Sequence, residues 1–395
     1  MAVTMIGAGY AVSGVVSDAI LANRKIIDMR DKLYLLQPSA APLYVMTSRL
    51  KKQATGNQKY EWMEDDLNPS WSAFAASAAS GAADITVTTS TGKYFNKYDL
   101  VKNPTTTEIM MILSAGTSAI SAVRGHAGTT GASAAVGEEL LILGSAFQEG
   151  STSSMLVTKS TKVSNLYNYV QIFRKSVELS QSLAASDLYG GNDRDYQRKK
   201  KGIEMMRDIE RTFLYSGRDE YDQAAATEDL ALTTTRRTTG GLLQFLSSNA
   251  TDMSGTMTET EFEAFLRDLF MYGEGTRTLF CSPLVLSVIS LWAQPKLQML
   301  PKDKTYGIAI NQYVSPQGTV NLVRNMLLEG NVYGGYAFGL QMGELTYRYL
   351  NGRDIKFMTN IHHPGDDMFK DQYIGEIGLE LHQEKLHGYI FGCSA

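Results

Sequence analysis

The sequence is short of the residues that mark several common classes of protein. Only two of its 395 residues are cysteines, Cys281 and Cys393. Their separation fits neither a disulfide framework nor a zinc-ligand spacing, which points to a reducing compartment. No apolar run approaches the roughly 20 residues that a membrane span requires, and no signal peptide opens the chain. We therefore expect a soluble protein made in cytosol, with no membrane partner.

An excess of charge of either sign is also missing. The chain has 37 lysines and arginines against 41 aspartates and glutamates, so its formal net charge is −4. A nearly balanced chain has no bulk electrostatic attraction to nucleic acid or to an anionic membrane, so any nucleic-acid contact has to be local. The length allows one large domain, or two to three smaller ones that each bury a core.

Motifs that bind cofactors or activate nucleophiles are lacking as well. The segment GAGYAVSG, from Gly7 to Gly14, is not a GxGxxG loop, and no strand of sufficient length precedes it. No Walker A sequence occurs, and no serine or cysteine stands in a nucleophile elbow. We expect no catalytic residue and no cofactor.

Two groups of residues have side chains of the metal-ligating type. His362 and His363 precede Asp366 and Asp367 in one polar turn, and a solvated turn is the favoured interpretation because the spacing is unlike that of metal sites. In the second group, three residues share one face of the last predicted strand by the period-two rule, and we expect them to pair with basic residues across a sheet or an interface: Glu380, His382 and Glu384. No metal site is predicted.

The clearest single element is a long helix over residues 194–216. Asn192 or Asp193 is predicted as its N-cap, and Gly217 follows its end. Apolar residues recur along one stripe, which we expect to be buried: Met205, Ile209 and Phe213, with Met206 beside them. The rest of the surface carries both signs of charge, and three pairs have helical spacing: Lys200 with Glu204, Glu204 with Arg207, and Asp208 with Arg211.

The remaining segments predict an α+β protein. Short β-rich runs between Pro69 and about Gly144 predict a small β sandwich or barrel that is inserted between two extended legs. Pro38 and Pro42 favour an extended segment rather than a helix. Thr258 and Glu261 form a capping-box pattern before an amphipathic helix, and Pro283 opens another helix. The last segment predicts two long strands joined by a turn at Pro364 and Gly365.

Taken in order, these segments resemble the major capsid proteins of tailed bacteriophages with the Hong Kong 97 fold, within the branch typified by the major head protein of phage SU-ten. The resemblance spans most of residues 30–395 and is one of pattern and order, since no single motif is diagnostic. It is carried by YEWMEDDL (60–67), NYVQIFRKSVELSQS (168–182), RKKKGIEMMRDIERTFLYSG (198–217), RRTTGGLLQFL (236–246) and YIGEIGLELHQEKLHGYIFG (373–392).

The resemblance implies the division of the chain. It implies an N-terminal arm over 1–48, an extended loop over 49–66 and 144–172, an inserted β module over 67–143, a peripheral domain over 173–238 and 346–395 with the spine helix 194–216, and an axial domain over 239–345. Such a loop lies over a neighbouring subunit, and axial domains cluster around the five- and six-fold positions. The inserted module then projects from the shell.

The function that the resemblance implies is that of a structural capsid protein. Copies assemble into hexamers and pentamers of an icosahedral head in the host bacterial cytoplasm and enclose the genome with non-specific contact to double-stranded DNA. The implied partners are a portal, a scaffold or maturation protease, and a decoration protein. Charged residues of the loop, the helix and the last strand are the predicted interface: Lys51, Lys52, Lys59, Arg198, Lys200, Glu204, Arg207, Asp208, Arg211, Glu380 and Glu384.

Some relatives form lysine–asparagine crosslinks between subunits, but the sequence offers no acidic catalyst that we can place, so no crosslink is predicted. Three other interpretations stay open. The same fold serves an encapsulin-type compartment, in which a protein cargo replaces the genome. An oligomeric metal-dependent enzyme would use the turn at His362 and His363. A phage tail component would account for the inserted β module.

Overall fold

The structure is a computed structural model, and it describes residues 41–88, 91–152, 160–186, 193–221, 235–273, 275–293 and 311–394. The predictions for Gly7–Gly14, for the arm before residue 41 and for Asn192 as an N-cap lie outside these residues. The chain divides into two compact units, of which the first comprises Met1–Tyr60 with Asn168–Ala395 and the second Glu61–Tyr167. Among the described residues, no helix is both long enough and apolar enough to cross a membrane.

Helices and strands alternate along the described residues, and the predicted α+β class is confirmed. The helices are α1 (Pro42–Leu50), α2 (Gln181–Ala185), α3 (Asp193–Tyr215), α4 (Leu242–Phe245), α5 (Glu259–Leu269), α6 (Pro283–Ala293) and α7 (Gly330–Tyr333). The strands up to residue 180 are β1 (Lys52–Thr55), β2 (Lys59–Glu64), β3 (Trp71–Ala73), β4 (Asp84–Thr86), β5 (Asp99–Lys102), β6 (Ile109–Ala115), β7 (Ala119–His126), β8 (Glu139–Ser145), β9 (Ser164–Tyr169) and β10 (Gln171–Ser180). The later strands are β11 (Asp219–Tyr221), β12 (Arg236–Thr238), β13 (Ala250–Thr256), β14 (Arg277–Cys281), β15 (Asn311–Ser315), β16 (Gly318–Arg324), β17 (Ala337–Leu340), β18 (Leu345–Leu350), β19 (Lys356–Met358), β20 (Met368–Leu381) and β21 (Gly388–Ser394).

A five-stranded sheet in the first unit supports the long helix. Its order is β1-β18-β20-β10, with β19 also paired to β20. Strand β1 runs parallel to β18, and the other pairs are antiparallel. Helix α3 lies against β10 and β20. It starts and ends one residue before the predicted bounds, and at 1.5 Å per residue it is about 35 Å long.

The buried stripe of α3 agrees with the prediction in part. Met205, Ile209 and Phe213 are buried as expected, and they join a core that includes Phe173, Tyr347 and Leu379 from the sheet. Met206 is 37% exposed, so its assignment to the buried stripe is wrong. The next position on that row is Glu210, which is fully buried.

The expectation that the segment around Pro42 is extended is wrong, because α1 starts at that residue. Proline is tolerated in the first turn of a helix, where its missing N–H has no intrahelical acceptor. Pro42 is therefore the first residue of a helix, although its sequence context predicts that it prevents one.

A six-stranded sheet, in the order β13-β21-β17-β14-β16-β15, forms the other layer of the first unit. The predicted capping box at Thr258 and Glu261 is confirmed at the start of α5, and every residue of β14 is buried. Two long strands were predicted at the end of the chain, but β19 has three residues and the last segment divides into β20 and β21. Strand β21 pairs with β13 and β17 and thus lies in the sheet of the 239–345 segment.

The second unit contains a small barrel, which agrees with the predicted β module. Its strands follow the order β3-β8-β5-β6-β7-β4. The two edge strands are joined beyond their ends, because Ala75 N donates to Thr86 O and Thr88 N donates to Ala73 O, each at 2.9 Å. The interior is apolar and includes Phe74, Ile85, Val101, Met110, Ile120 and Leu140.

Candidate assembly surfaces

The beginning of α3 is held to the sheet by one buried carboxylate. Asp371 of β20 accepts hydrogen bonds from Nε of Arg194 and Nε of Arg198, both at 2.9 Å, and from the backbone N–H of Asn360 at 2.8 Å. Burial raises the pKa of this carboxyl group, but the hydrogen bonds from Arg194, Asn360 and Arg198 outweigh it, and the pKa lies well below its usual range. Arg198 also pairs with Asp195 at 2.9 Å. The guanidinium of this predicted interface residue is thus engaged within its own chain.

The middle of α3 carries ion pairs that differ partly from the predicted ones. Glu204 pairs with Lys201 at 2.7 Å, and the predicted ion pairs with Lys200 and Arg207 do not form among the described residues, although Lys200 still acts on Glu204 through its charge. The hydrogen bond from Lys201 lowers the pKa of Glu204. Lys201 lies three residues before Glu204 and Lys200 lies four residues before it. Both spacings place side chains next to each other on a helix, so spacing alone did not show which lysine forms the pair.

Farther along the same helix, the predicted pair of Asp208 with Arg211 is confirmed at 3.6 Å. Asp208 makes a shorter contact of 2.6 Å with Lys175 of β10. Arg207 has a buried Nε without a hydrogen-bond partner among the described residues. Asp208 therefore binds the helix to its own sheet through Lys175.

Glu210 is the least expected residue of this helix. Its carboxylate accepts from the backbone N–H of Leu43 at 3.1 Å, from that of Tyr44 at 2.6 Å and from the side-chain amide of Asn325 at 2.7 Å. Leu43 and Tyr44 stand in the first turn of α1, where N–H groups lack intrahelical acceptors and a negative charge is favourable. Burial raises the pKa of Glu210 to about 7 despite these donors. Glu210 of α3 thus caps the start of α1.

The three loop lysines have different surroundings. Lys51 is exposed, and its carbonyl accepts from the N–H of Tyr347 at 2.9 Å. Lys52 forms an ion pair with Asp354, and its Nζ lies 5.0 Å from the ring centroid of Tyr347. Lys59 is exposed at the start of β2. All three lysines are therefore exposed, and the ion pair of Lys52 lies within its own unit.

The prediction that Glu380, His382 and Glu384 share one face of a strand is wrong for Glu384. Strand β20 stops at Leu381, and Gln383 has a φ of 52°, so Glu384 falls in a short helical turn. Glu384 accepts from the N–H of Ser248 at 2.6 Å. Glu380 is buried and pairs across the sheet with Arg348, as the sequence predicted.

The turn at His362 and His363 is closed by its own acidic residues. The N–H of His363 donates to Asp366 at 3.2 Å, and the N–H of Asp366 donates to the carbonyl of His363 at 3.1 Å. Within the described ranges, no group of three or more His, Cys, Asp and Glu side chains is arranged to hold a metal ion. Cys281 is buried in β14, as predicted, and burial raises the pKa of its thiol.

The base of the ribbon formed by β2 and β9 is fastened by buried hydrogen bonds. The amide of Asn168 donates to Leu379 O at 2.7 Å and to Gly240 O at 3.1 Å, and its oxygen accepts from Gly240 N at 2.7 Å. Tyr60 donates from its hydroxyl to the same Leu379 carbonyl at 2.8 Å. Both side chains are buried, so these hydrogen bonds hold Tyr60 and Asn168 to the first unit where water cannot replace them.

We expect Asn168→Ala to lower the free energy of unfolding by about 2–3 kcal/mol, because the groups of Gly240 are left buried without partners. Tyr60→Phe is the matched control and is expected to cost about 1 kcal/mol, since Leu379 O keeps its bond from Asn168. Urea unfolding of the two variants measures the difference. An Asn168→Ala variant that is no less stable than Tyr60→Phe would contradict this account of the ribbon base.

Three of these residues were missed by the sequence reasoning: Glu210, Asp371 and Asn168. Glu210 follows Met206 at four residues and precedes Phe213 at three, so a carboxylate on an apolar row was a signal of burial. Asp371 interrupts a β-rich run, which is a weaker signal. Asn168 gave none, because its partners lie in distant segments.

Comparison with known proteins assigns the chain to a family. Residues 10–394 match the model of the family described as SU10 major capsid protein. This match covers nearly all of the 395 residues. A search among curated proteins finds no match.

Solved structures of low identity align along nearly the whole chain. Mycobacterium phage Bobi aligns at 8% identity over 97% of this chain and 100% of that chain, with a TM-score of 0.49. The capsid of a native GTA particle aligns at 8% identity over 97% and 100%, with a TM-score of 0.48. The holo-SrpI encapsulin complex of Synechococcus elongatus aligns at 9% identity over 96% of each chain, with a TM-score of 0.44. The assignment rests on the family match.

The match confirms the predicted resemblance, and with it the predicted capsid-protein fold and function. It includes residues of both units and reaches the last strand. The chain belongs to the SU10 major capsid protein family and is a structural protein of the virion capsid shell.

Proposed function

We propose that copies of this chain form hexamers and pentamers that close into an icosahedral head around a phage genome. The observation that carries the proposal is the family match over residues 10–394. Rings about five- and six-fold axes need head-to-tail interfaces that close, and each interface can be weak because many act together. The balanced charge of the chain supports a shell that does not hold its DNA tightly.

In this proposal, the parts of the chain have the roles that the resemblance implies. The proposed arm is 1–48, the extended loop 49–66 and 144–172, the projecting module 67–143, the peripheral domain 173–238 and 346–395, and the axial domain 239–345. The paired strands β2 and β9 lie within the proposed extended loop, and α3 corresponds to the proposed spine helix. Because β21 pairs with β13 and β17, residues 388–394 contribute to the sheet of the axial segment.

The predicted interface residues fall into two groups in this proposal. Lys52, Arg198, Asp208 and Glu380 form ion pairs within their own unit, and they act by fixing the shape that neighbours meet. Lys51 and Lys200 form no ion pair among the residues that the structure describes, and we assign them to contacts between copies. Glu204 and Arg211 also form ion pairs within the unit and belong to the first group. Arg207, Glu384 and Lys59 complete the proposed contact set.

Assembly takes place in the host bacterial cytoplasm in this proposal, with a portal, a scaffold or maturation protease, and a decoration protein as partners. The chain catalyses no reaction and contacts the packaged DNA without sequence preference. The two histidines of the turn at 362–363 have no part in the function. Their replacement is expected to leave assembly unchanged.

Electron microscopy of the purified protein tests the proposal, together with the nucleic-acid and protein content of the particles. We expect hollow closed particles from the chain alone or with its scaffold, and DNA inside particles from infected cells. Protein cargo without DNA would favour an encapsulin-type compartment. Stoichiometric metal that is lost in the double variant His362→Ala and His363→Ala would favour the enzyme interpretation. Only open tubes or rings would favour a tail component.

A further inference from the structure

Two short connections lead from one sheet of the first unit to the other. Residues 341–344 join β17 of the six-stranded sheet to β18 of the five-stranded sheet, and residues 382–387 join β20 of the five-stranded sheet to β21 of the six-stranded sheet. The backbone N–H of His382 donates to the carbonyl of Glu344 at 3.1 Å, so the two connections touch. Contacts between them therefore help to hold the two sheets together.

His387 ties the two connections together inside the protein, where its side chain is completely buried. Nδ1 of its ring accepts a hydrogen bond from the backbone N–H of Gln341 at 3.2 Å, so this nitrogen carries no proton. The proton of the neutral ring is therefore on Nε2, which donates to the carbonyl of His382 at 3.2 Å. Both ring nitrogens are satisfied only while the ring is neutral. We call these two hydrogen bonds the histidine link.

The surroundings of His387 oppose protonation of its ring. Burial is the main cause that lowers its pKa to about 4, and the positive charges of Arg277 and His382 act in the same direction. Arg277 of β14 is itself fully buried. Glu384 is the neighbouring charged group that favours protonation. A proton on Nδ1 would also face the N–H of Gln341, so that two donors would meet where a donor and an acceptor now pair.

His382 is in the opposite situation. Its ring contacts the carboxylate of Glu380 and, at 3.5 Å, that of Glu344. The hydrogen bond with Glu380 raises the pKa of His382, against the effects of burial and of the charge of Lys51. Acid therefore strengthens the contacts of His382, whereas it removes a contact of His387. The two histidines can be distinguished by the direction in which each makes the connections depend on pH.

The 382–387 connection is strained as well. Gln383 follows His382 and has a φ of 52° and a ψ of 80°, in the left-handed region that residues other than glycine rarely adopt. A conformation of this kind persists only where the surrounding contacts hold it in place. Loss of the histidine link would therefore let this connection relax into a different backbone conformation.

We propose that the histidine link is a proton-sensitive contact, which fastens the two connections while the ring of His387 is neutral and opens when Nδ1 takes a proton from solvent. The titration of one buried histidine is the change of charge, and the strained 382–387 connection is the element that responds. Each sheet keeps its own hydrogen bonds, while acid loosens one sheet from the other. The link acts inside one chain, so this inference goes beyond the proposed shell function and does not depend on it.

Amide hydrogen exchange of the two connections tests the proposal. After correction for the intrinsic pH dependence of exchange, we expect residues 341–345 and 382–388 to open about 20-fold more often at pH 5 than at pH 7. This factor follows from a pKa of about 4 for His387 with the link closed and of 6.5 with the link open. Strand β14, in which every residue is buried, is the internal control and should show no such change.

A variant separates His387 from the other titrating groups. His387→Gln cannot take up the proton but keeps a hydrogen-bond donor and an acceptor in its side chain. We expect this variant to lose the acid-induced rise in exchange. His363→Gln, at an exposed position of the turn at 362–363, is the matched control and should keep the rise. Equal corrected exchange at the two pH values in the unchanged chain, or a rise that persists in His387→Gln, would overturn the proposal.

The ring resonances of the five histidines provide a second measurement, which requires no substitution. In the unchanged chain with ¹³C-labelled histidine, we expect one ring to stay neutral down to pH 5, since the pKa of His387 is lowered to about 4. Titration of all five rings above pH 6 would overturn the proposal even where His387→Gln does not fold.

Discussion

Replacing Glu210 by alanine is expected to lower the free energy of unfolding by about 3–5 kcal/mol, because several buried donors lose their acceptor at roughly 1–3 kcal/mol each. The carboxylate is fully buried and accepts three hydrogen bonds, two of them from the first turn of α1. Alanine leaves the N–H groups of Leu43 and Tyr44 and the Asn325 amide without an acceptor, and it opens a cavity in the core. We further expect α1 to lose its protection from hydrogen exchange before the rest of the unit.

Thermal and urea unfolding, with amide exchange over residues 42–50, measure this effect. Met206→Ala is a suitable control, because Met206 lies four residues earlier on the same helix and is 37% exposed. A Glu210→Ala variant as stable as Met206→Ala, with α1 still protected, would refute the capping role of Glu210.

The charge of Glu210 also makes stability depend on pH. Its pKa in the folded protein is about 7, raised from 4.5 by burial, so the folded state prefers the protonated form. The stability that this preference gives is fully present below pH 4.5 and is lost as the pH rises through 7. The shift corresponds to about 3 kcal/mol at most. Glu210→Gln cannot ionise, so its stability relative to the unchanged chain should rise between pH 4.5 and pH 7.5. Parallel stability curves for the two proteins would contradict the shifted pKa.

Replacing Asp371 by alanine is the second large effect that we expect, also about 3–5 kcal/mol. Asp371 is 1% exposed and binds two arginines from the first turns of α3 together with the N–H of Asn360. Without it, both guanidinium groups lose their buried partner and the start of the long helix frays. Arg194 and Arg198 keep their positions over the rings of Phe369 and Phe357, at 4.5 Å and 5.3 Å, which limits the loss.

Because the pKa of Asp371 is lowered, its contribution to stability depends on pH in the direction opposite to that of Glu210. The contribution of Asp371 is present above pH 3.8 and is lost as the pH falls through its depressed pKa. Lys175→Ala is the control, because its partly exposed pair with Asp208 is worth at most about 1 kcal/mol. Denaturant unfolding at pH 7 compares the two variants. Equal stability of Asp371→Ala and Lys175→Ala would show that the buried cluster does not fasten the helix.

Local signals in the sequence predicted the elements that depend on neighbours in the chain. The apolar spacing of Met205, Ile209 and Phe213 predicted the long helix, and the capping box at Thr258 and Glu261 predicted the start of α5. In each case the deciding residues lie within two turns of one another, so periodicity and capping contain the information.

The sequence did not predict the features that depend on distant partners. Proline breaks a helix in its interior but is tolerated in the first turn, and the sequence near Pro42 did not show which case applies. The residue that caps this helix, Glu210, lies 167 residues from Leu43. Glu384 left the predicted strand face because Gln383 adopts a left-handed conformation, which no pattern indicated. The pairing of Asp371 with Arg194 and Arg198 likewise joins segments that only the folded sheet brings together.

The mass of the particles that the purified chain forms tests the central claim most directly. One chain has a mass of 43.5 kDa. Mass photometry or light scattering should find, alone or with a scaffold, a discrete species whose mass is a large multiple of one chain, as a closed shell of hexamers and pentamers requires. A single species of 43.5 kDa under every assembly condition would contradict the claim that this chain builds a capsid shell.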